Sequence, residues 1–405
     1  MALKCKVIGI GAAGNKAAIN LMKKNVVEKD KVLLLNSTKI DIPDDYKESA
    51  VEFGITEGCG KERDPAKQAI AQALMENQIS LETFIRPEDN LVIIVTSLEG
   101  GTGCGASVVV AQYINEILIA SNMRKDLSIH MFGFTGFEAD PRGLKNTVDW
   151  FNDLHPSYTV EVISNKKFLN GSNSISQAEM LANDEFARRV NILLGKTITP
   201  SARNIDNRDL FKLSTTPGFM TIEQIPLTKI KDKDQFNSLL NEMVEKSKSL
   251  ETEQSCKRMG VILNISPKSE QYIDESFSVL IDHYGSPFEL FRHYQDNEED
   301  DFINIIVSGM KMPVDIIKDL FEKYEKGVAK IDTSRDSFFD RKFDTTNGNI
   351  FNTSDPFGTD RSPNVGLKEN MNQLREKFFN NVGGGFNTEK AKQNFAQSIK
   401  ISSQL

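Results

Sequence analysis

Histidine and cysteine are scarce in this chain, four of each among 405 residues. Cys5, Cys59, Cys104 and Cys256 are scattered without CxxC spacing, and a chain this long can bury core enough to dispense with disulfide staples. They read as free thiols in a reducing compartment. His130, His155, His283 and His293 show neither HExxH nor Cys/His ligand spacing, which leaves the zinc-site classes without support. An excess of basic charge is also missing. At a net −8, broad nonspecific DNA binding through clustered Lys and Arg is disfavoured, and any nucleic-acid connection is expected to run through a partner. No apolar run approaches bilayer length, and MALKCKVIGIG holds no long signal-type stretch, so a cytoplasmic protein without a membrane span is expected.

The chain does carry glycine loops. VIGIGAAGN (7–15) is an apolar strand running into glycines with G-x-G-x-x-G spacing, the pattern by which a backbone approaches phosphate at a helix N-terminus. A dinucleotide site would want an acidic residue at the end of the next strand; KVLLLNSTKID ends on Asn36 and Ser37 instead. A second loop, LVIIVTSLEGGTGCGAS (91–107), opens from a buried strand with glycines at 100, 101, 103 and 105 and feeds the helix VVVAQYINEILIA. Glycine amides, the Thr102 hydroxyl and the helix dipole together make an anion nest. Two such loops on neighbouring strands point to two ends of one polyphosphate. Neither contains the GxxxxGK[ST] of a P-loop.

Up to about His155, short β-rich runs (CKVIGI, KVLLLN, NLVIIVTS, LSIHMFGF) alternate with helical stretches, predicting a parallel sheet with crossover helices and ligands at the strands' carboxyl ends. After the strand YTVEVISN, the run SQAEMLANDEFARRVNILLGKTI sets Ala178, Ala182, Phe186, Val190, Leu193 and Thr197 on one ridge of a long, mostly buried helix. GFMTIEQIPL, RMGVILNIS and DFINIIVSGM then read as strands of a second domain, with DQFNSLLNEMVEKSKSL and VDIIKDLFEKYEKGV as helices. Beyond about Ile331 the composition turns polar, and TTNGNIFNTSDPFGTDRSP is expected to be disordered when free. Within that tail, NMNQLREKFF and TEKAKQNFAQSIKI read either as short partner-binding helices or as part of a solubilising segment.

The ordered series of motifs resembles the tubulin/FtsZ superfamily over roughly the first 330 residues, with Glu99-Gly100-Gly101-Thr102-Gly103-Cys104-Gly105 standing where the family has GGGTG[ST]G. EGCGKER, STTPGFMTIEQIPL and INIIVSGMKMP are similar to its plasmid and phage branch, the TubZ proteins, and no FtsZ-type tail peptide is recognisable at the C-terminus. The resemblance implies an α/β fold with a Rossmann-like N-terminal GTPase domain (1–174), a long central helix (175–200), a smaller α+β C-terminal domain (201–330) beginning with a catalytic loop (201–210), and a flexible tail (331–405). It implies a GTPase using GTP/GDP and Mg²⁺, self-assembly head to tail into filaments in the cytoplasm of a prokaryotic host, and segregation or positioning of plasmid or phage DNA through a DNA-binding adaptor that contacts the tail. A divergent FtsZ-type division GTPase and a non-polymerising GTP-regulated subunit are the alternatives.

By the same resemblance, Asn204, Asp206 and Asp209 match an N-x-D-x-x-D loop that completes hydrolysis in the adjacent subunit, where carboxylates orient or deprotonate water. Asp206 could equally be a helix N-cap. The phosphate loops comprise Gly11, Ala12, Ala13 and Asn15; Asn36; Gly60 and Lys61; and Gly100, Gly101, Thr102, Gly103 and Cys104. Asn165 and Asn183 are assigned to the base, whose donors and acceptors suit an amide, although Asn183 also reads as a helix-surface residue. Glu138 and Arg142 are assigned to ribose and phosphate, or to an exposed loop pair. Glu99 is a departure from the family pattern, either pointing away or approaching Mg²⁺ through water, since no direct protein ligand to the metal is expected. Cys104 replaces a strong hydroxyl donor by a weak one.

Overall fold

The strongest strands are apolar throughout because both of their faces are covered. In β1 (Cys5–Ile10), Val7 packs to one side with Leu91, Ile93 and Val95, while Ile8 and Ile10 pack to the other with Val92 and Ile94. This is the pattern of a parallel sheet between helical layers. The computed structural model describes residues 3–54, 58–120, 126–138, 140–198, 205–227, 230–247, 255–296 and 301–332. The expectations for the tail lie outside the described residues.

In chain order β1 is followed by α1 (Gly11–Lys23), β2 (Val32–Asn36), β3 (Ala50–Glu52), α2 (Arg63–Met75), α3 (Leu81–Phe84), β4 (Leu91–Ser97), α4 (Thr102–Tyr113), β5 (Ser128–Thr135), α5 (Pro141–Asn152), β6 (Thr159–Ser164) and the long α6 (Ile175–Leu193). Then come α7 (Asn207–Ser214), β7 (Gly218–Pro226), α8 (Lys233–Ser247), β8 (Arg258–Ile265), α9 (Pro267–Glu270), α10 (Ser278–Tyr284), β9 (Glu289–Asp296), β10 (Phe302–Met310) and α11 (Val314–Asp332). One ten-stranded sheet runs in the order β3-β2-β1-β4-β5-β6-β7-β10-β8-β9. The first six strands are parallel in doubly wound order, and the second group is mixed, β10 lying antiparallel between β7 and β8. Only Thr159↔Gly218 and Val160↔Phe219 join β6 to β7.

The order in which strands are added reverses between β1 and β4, so a crevice opens beyond their carboxyl ends. One described segment, Thr102–Ile119, is long and apolar enough to cross a membrane, but 72% of it is buried in the molecule. It is α4 with a π-helical turn (Ile114–Ile119), and Val108, Val109 and Val110 belong to the core.

Helix α6 buries Ala178, Ala182, Phe186, Val190 and Leu193, with Phe186 edge-on to Phe132 at 4.5 Å. It stops at Leu193, short of Thr197. Gly195 takes φ +68°, its N–H bonds the Ile192 carbonyl and that of Lys196 bonds Asn191, the paired closure of a Schellman motif. The buried face also carries a charge cluster. Arg189, 3% exposed, reaches Glu161 on β6 (2.6 Å), Glu185 on its own helix (2.6 Å) and Glu223 on β7 (3.4 Å), and His130 Nε2 on β5 lies 3.6 Å from Glu161. Burial pushes the Glu161 carboxyl up to about 7 against the pull of Arg189, and lowers His130 to about 3. Arg188 and Arg189 overcome burial to hold Glu185 at about 2.

Candidate nucleotide site

Two helix N-termini meet at the strand reversal. α1 begins at Gly11 and α4 at Thr102, neither with a side-chain cap nor an acidic residue in its first turn. Their leading N–H groups lack intrahelical partners and carry the positive ends of two helix dipoles. The loops touch back to back: Gly11 has φ +75°, and a Cβ there would sit 2.9 Å from Gly103 N. A Cβ on Gly103 would come within 2.3 Å of Thr96 Oγ1 and 2.7 Å of the Ile10 carbonyl. At these positions glycine allows the two loops to close-pack. Gly100, in contrast, faces open space, as does Gly60 with φ +54°.

In front of the loops lies a cavity of about 240 Å³, bordered by Ala13 and Lys16 of α1, Lys61, Ser97, Glu99, Gly100, Phe134, Gly136, Phe137, Asn165, and Glu179 and Asn183 of α6. Of the residues expected from the sequence, Ala13, Lys61, Gly100, Asn165 and Asn183 are thus brought together. Asn165 Oδ1 is buried without a hydrogen-bond partner. Asn183 is held from behind, its carbonyl accepting from Asn20 Nδ2 of α1 at 3.0 Å. Ala12 is exposed on the first turn of α1, and Gly101 is buried behind the cavity wall. Thr102 Oγ1 lies 3.5 Å from Ser37 Oγ.

Other expected residues stand outside the cavity. Asn15 is buried, donates to the Leu35 carbonyl at 3.2 Å and leaves Oδ1 unpartnered; Asn36 is buried with Nδ2 unpartnered. Cys104 turns its thiol into the core toward the Asn146 carbonyl at 3.2 Å, and burial pushes it up to about 12. The side chain therefore faces away from the cavity, leaving only the Cys104 backbone at the end of the helix. Arg142 pairs with Glu62 at 3.2 Å. Glu138, at φ +56°, bonds Lys323 of α11 at 2.9 Å and Lys166 at 3.2 Å; these bonds outweigh burial and lower its carboxyl below the usual range. It borders a smaller cavity of about 50 Å³.

Glu99 forms the wall between the two cavities. Its Oε1 accepts the Glu138 N–H at 3.0 Å, and a Cβ on Gly136 would fall 2.1 Å from Oε2. Burial raises the carboxyl above its ordinary value, with the Glu138 N–H pulling the other way. Of the two readings left open, the side chain is turned to the 136–138 loop. The sequence reading missed Asn146, 2% exposed, whose Nδ2 donates to the carbonyls of Lys61 (2.9 Å), Gly100 (3.2 Å) and Glu99 (3.4 Å), stapling two cavity loops together. It also missed Lys16 and Glu179.

Asp206 and Asp209 form a capping box on α7: Asp206 Oδ1 accepts the N–H groups of Arg208 (2.7 Å) and Asp209 (2.9 Å), and Asp209 Oδ2 accepts that of Asp206 (3.2 Å). The Asp209 N–H in particular lowers the Asp206 carboxyl. Both border neither cavity, and Asn204 lies outside the described residues.

A doubly wound half, a long bridging helix and a second, mixed half of the same sheet define a two-part α/β protein. The chain superposes on the GTPγS-form protofilament structure of TubZ from Bacillus thuringiensis serovar israelensis with TM-score 0.64 and 17% identity, covering 82% of this chain and 92% of that one. The corresponding values for the GTPγS-bound CetZ2 protofilament from Haloferax volcanii are 0.63 and 16%, with 82% and 100% covered. In sequence it is 23% identical over 218 residues to the mitochondrial division protein fszB of Dictyostelium discoideum and 26% over 213 residues to the cell division protein FtsZ of Aquifex aeolicus. These alignments take in 52% and 51% of this chain and 57% and 55% of the relatives, so the chain spans just over half of the curated relatives' length. No protein-family model matches. The chain has the fold of these TubZ and CetZ structures and resembles the FtsZ proteins in sequence over about half of its length.

Proposed function

We propose that the protein binds and hydrolyses GTP and assembles head to tail, each subunit completing the active site of the next. The observation that carries this reading is the meeting of two uncapped helix N-termini behind a cavity whose other end is lined by Asn165 and Asn183. The helix ends and Lys61 suit phosphate, and the unpartnered Asn165 Oδ1 suits a base donor. Mg²⁺ held on the phosphates supplies charge neutralisation for phosphoryl transfer.

Asp206 and Asp209 are the candidate water-positioning groups. A lowered carboxyl such as that of Asp206 is ionised at neutral pH and a weak base, so it acts chiefly by orienting water. Their place outside the cavity supports a role on a neighbouring subunit's nucleotide, and a heterologous contact of that kind propagates as a filament. The likeness to TubZ motivates the cellular reading, a cytoplasmic filament that moves plasmid or phage DNA through an adaptor bound to the tail. The sequence matches to FtsZ favour a division filament as the second reading.

Turnover per subunit, measured against protein concentration with parallel sedimentation, tests the shared site. The informative variants are Asp206→Asn and Asp209→Asn; asparagine caps a helix as well as aspartate, so at position 206 the substitution separates capping from chemistry. Turnover is expected to appear above a threshold, with at least one variant pelleting while hydrolysing about a hundredfold more slowly. Concentration-independent turnover with no pellet refutes the proposal.

A further inference from the structure

The cavity has two chemically different ends. Strands lie about 4.8 Å apart, so stepping from β4 to β6 moves about 10 Å along the sheet edge, away from the helix N-termini toward Asn165 and the exposed side of α6. There Glu179 sits one turn before Asn183 on the same helical face, and Lys16 approaches from α1. Neither Glu179 nor Lys16 has a hydrogen-bond or ion-pair partner among the described residues. The α1–α6 pair beneath them is fixed: Asn20, one turn after Lys16, donates to Asp184 Oδ1 at 3.0 Å, and Lys24 pairs with Asp184 at 3.0 Å.

A carboxylate here is unsuited to phosphate and well suited to a purine edge that presents two donors. We propose that Glu179 is the guanine-selecting group, accepting N1–H and the 2-amino group, while the Lys16 ammonium donates to O6. The inference rests on the nucleotide reading above. Adenine would set an unprotonated N1 against the carboxylate and a 6-amino group against the ammonium, so both contacts turn repulsive. Hypoxanthine keeps N1–H and O6 but lacks the 2-amino donor.

Equilibrium binding of GTP, ITP, XTP and ATP to the full chain, for wild type, Glu179→Gln, Glu179→Ala and Lys16→Met, tests this. Denaturation midpoints verify that each variant is folded. Wild type is expected to prefer GTP to ITP by about tenfold, the worth of one hydrogen bond to a charged group. Glu179→Ala is expected to bring the GTP/ITP ratio to about one, and Glu179→Gln to move preference toward XTP, whose 2-oxo group accepts from the new amide. Lys16→Met is expected to weaken GTP and ITP alike. If GTP binds wild type but its ratios to ITP and XTP stay the same in both Glu179 variants, the inference fails and the nucleotide reading stands. If wild type binds none of the four nucleotides, both fail.

Discussion

Replacing Arg189 by leucine removes the one buried cation at the centre of Glu161, Glu185 and Glu223, and the consequence is calculable in outline. Glu161 is 1% exposed and Glu223 7%, so water cannot take over the contacts at 2.6 Å and 3.4 Å that the guanidinium makes to them. Glu185 keeps Arg188. Removing one partner of a buried pair costs about 3–5 kcal/mol, a large share of the 5–15 kcal/mol typical of a folded domain. With a urea slope of about 3 kcal/mol/M the midpoint falls by about 1 to 1.7 M. Trp150, fully buried on the opposite side of the sheet, reports the transition by fluorescence. The effect also has a direction in pH. A carboxyl raised in the folded state makes stability fall as pH rises from its unfolded value through its folded one. Glu161, at about 7, already acts in this way, and without Arg189 it rises further. The loss in Arg189→Leu is therefore smaller at pH 5 than at pH 8, and Glu161→Leu added to it restores part of the stability. A loss below 1 kcal/mol, or one independent of pH, would refute the reasoning.

Gly103→Ala, which drives a Cβ to 2.7 Å from the Ile10 carbonyl, is expected to destabilise by about 1–3 kcal/mol, whereas Gly100→Ala, with open space around it, leaves the melting temperature unchanged and weakens nucleotide binding. Asn146→Ala leaves the Lys61 and Gly100 carbonyls without this donor; a loss of about 1 kcal/mol is expected in chemical denaturation, with weaker nucleotide binding. Alkylation of the native protein is expected to reach Cys59 first and to spare Cys104, whose thiol is buried and pushed up to about 12, while denaturant exposes all four; mass mapping of the labelled peptides checks the order.

The central strands were legible because burial on both faces writes an unbroken apolar run, and the two glycine loops announced where the crevice lies. β9 was not: ELFRHYQD lacks a regular two-residue alternation, and its polar composition resembles a loop. β3 is three residues long and carries too little pattern to detect. The ridge on α6 was readable from periodicity, but its end was not, since the apolar spacing ran on to Thr197 while Gly195 closed the helix. Within the site, the residues in glycine loops were recognisable by local pattern. Lys16 and Glu179 are 163 positions apart and become neighbours of one cavity only when α1 packs on α6. Arg189 was hidden for a related reason: a charge inside an apolar ridge looks like the helix's wet side until Glu161 and Glu223 arrive from β6 and β7.

The seam between β6 and β7 has a mechanical meaning. Six paired positions join β5 to β6 and eight join β7 to β10, but only two bridge the halves of the sheet. Torsional stiffness of such a ribbon grows with the number of rungs, so a twisting load applied to the two ends concentrates its strain at those two. Arg189 reaches strands on both sides of that narrow neck, gripping Glu161 and Glu223 at once. The buried cluster therefore ties the two halves of the sheet together where their strand pairing is sparsest.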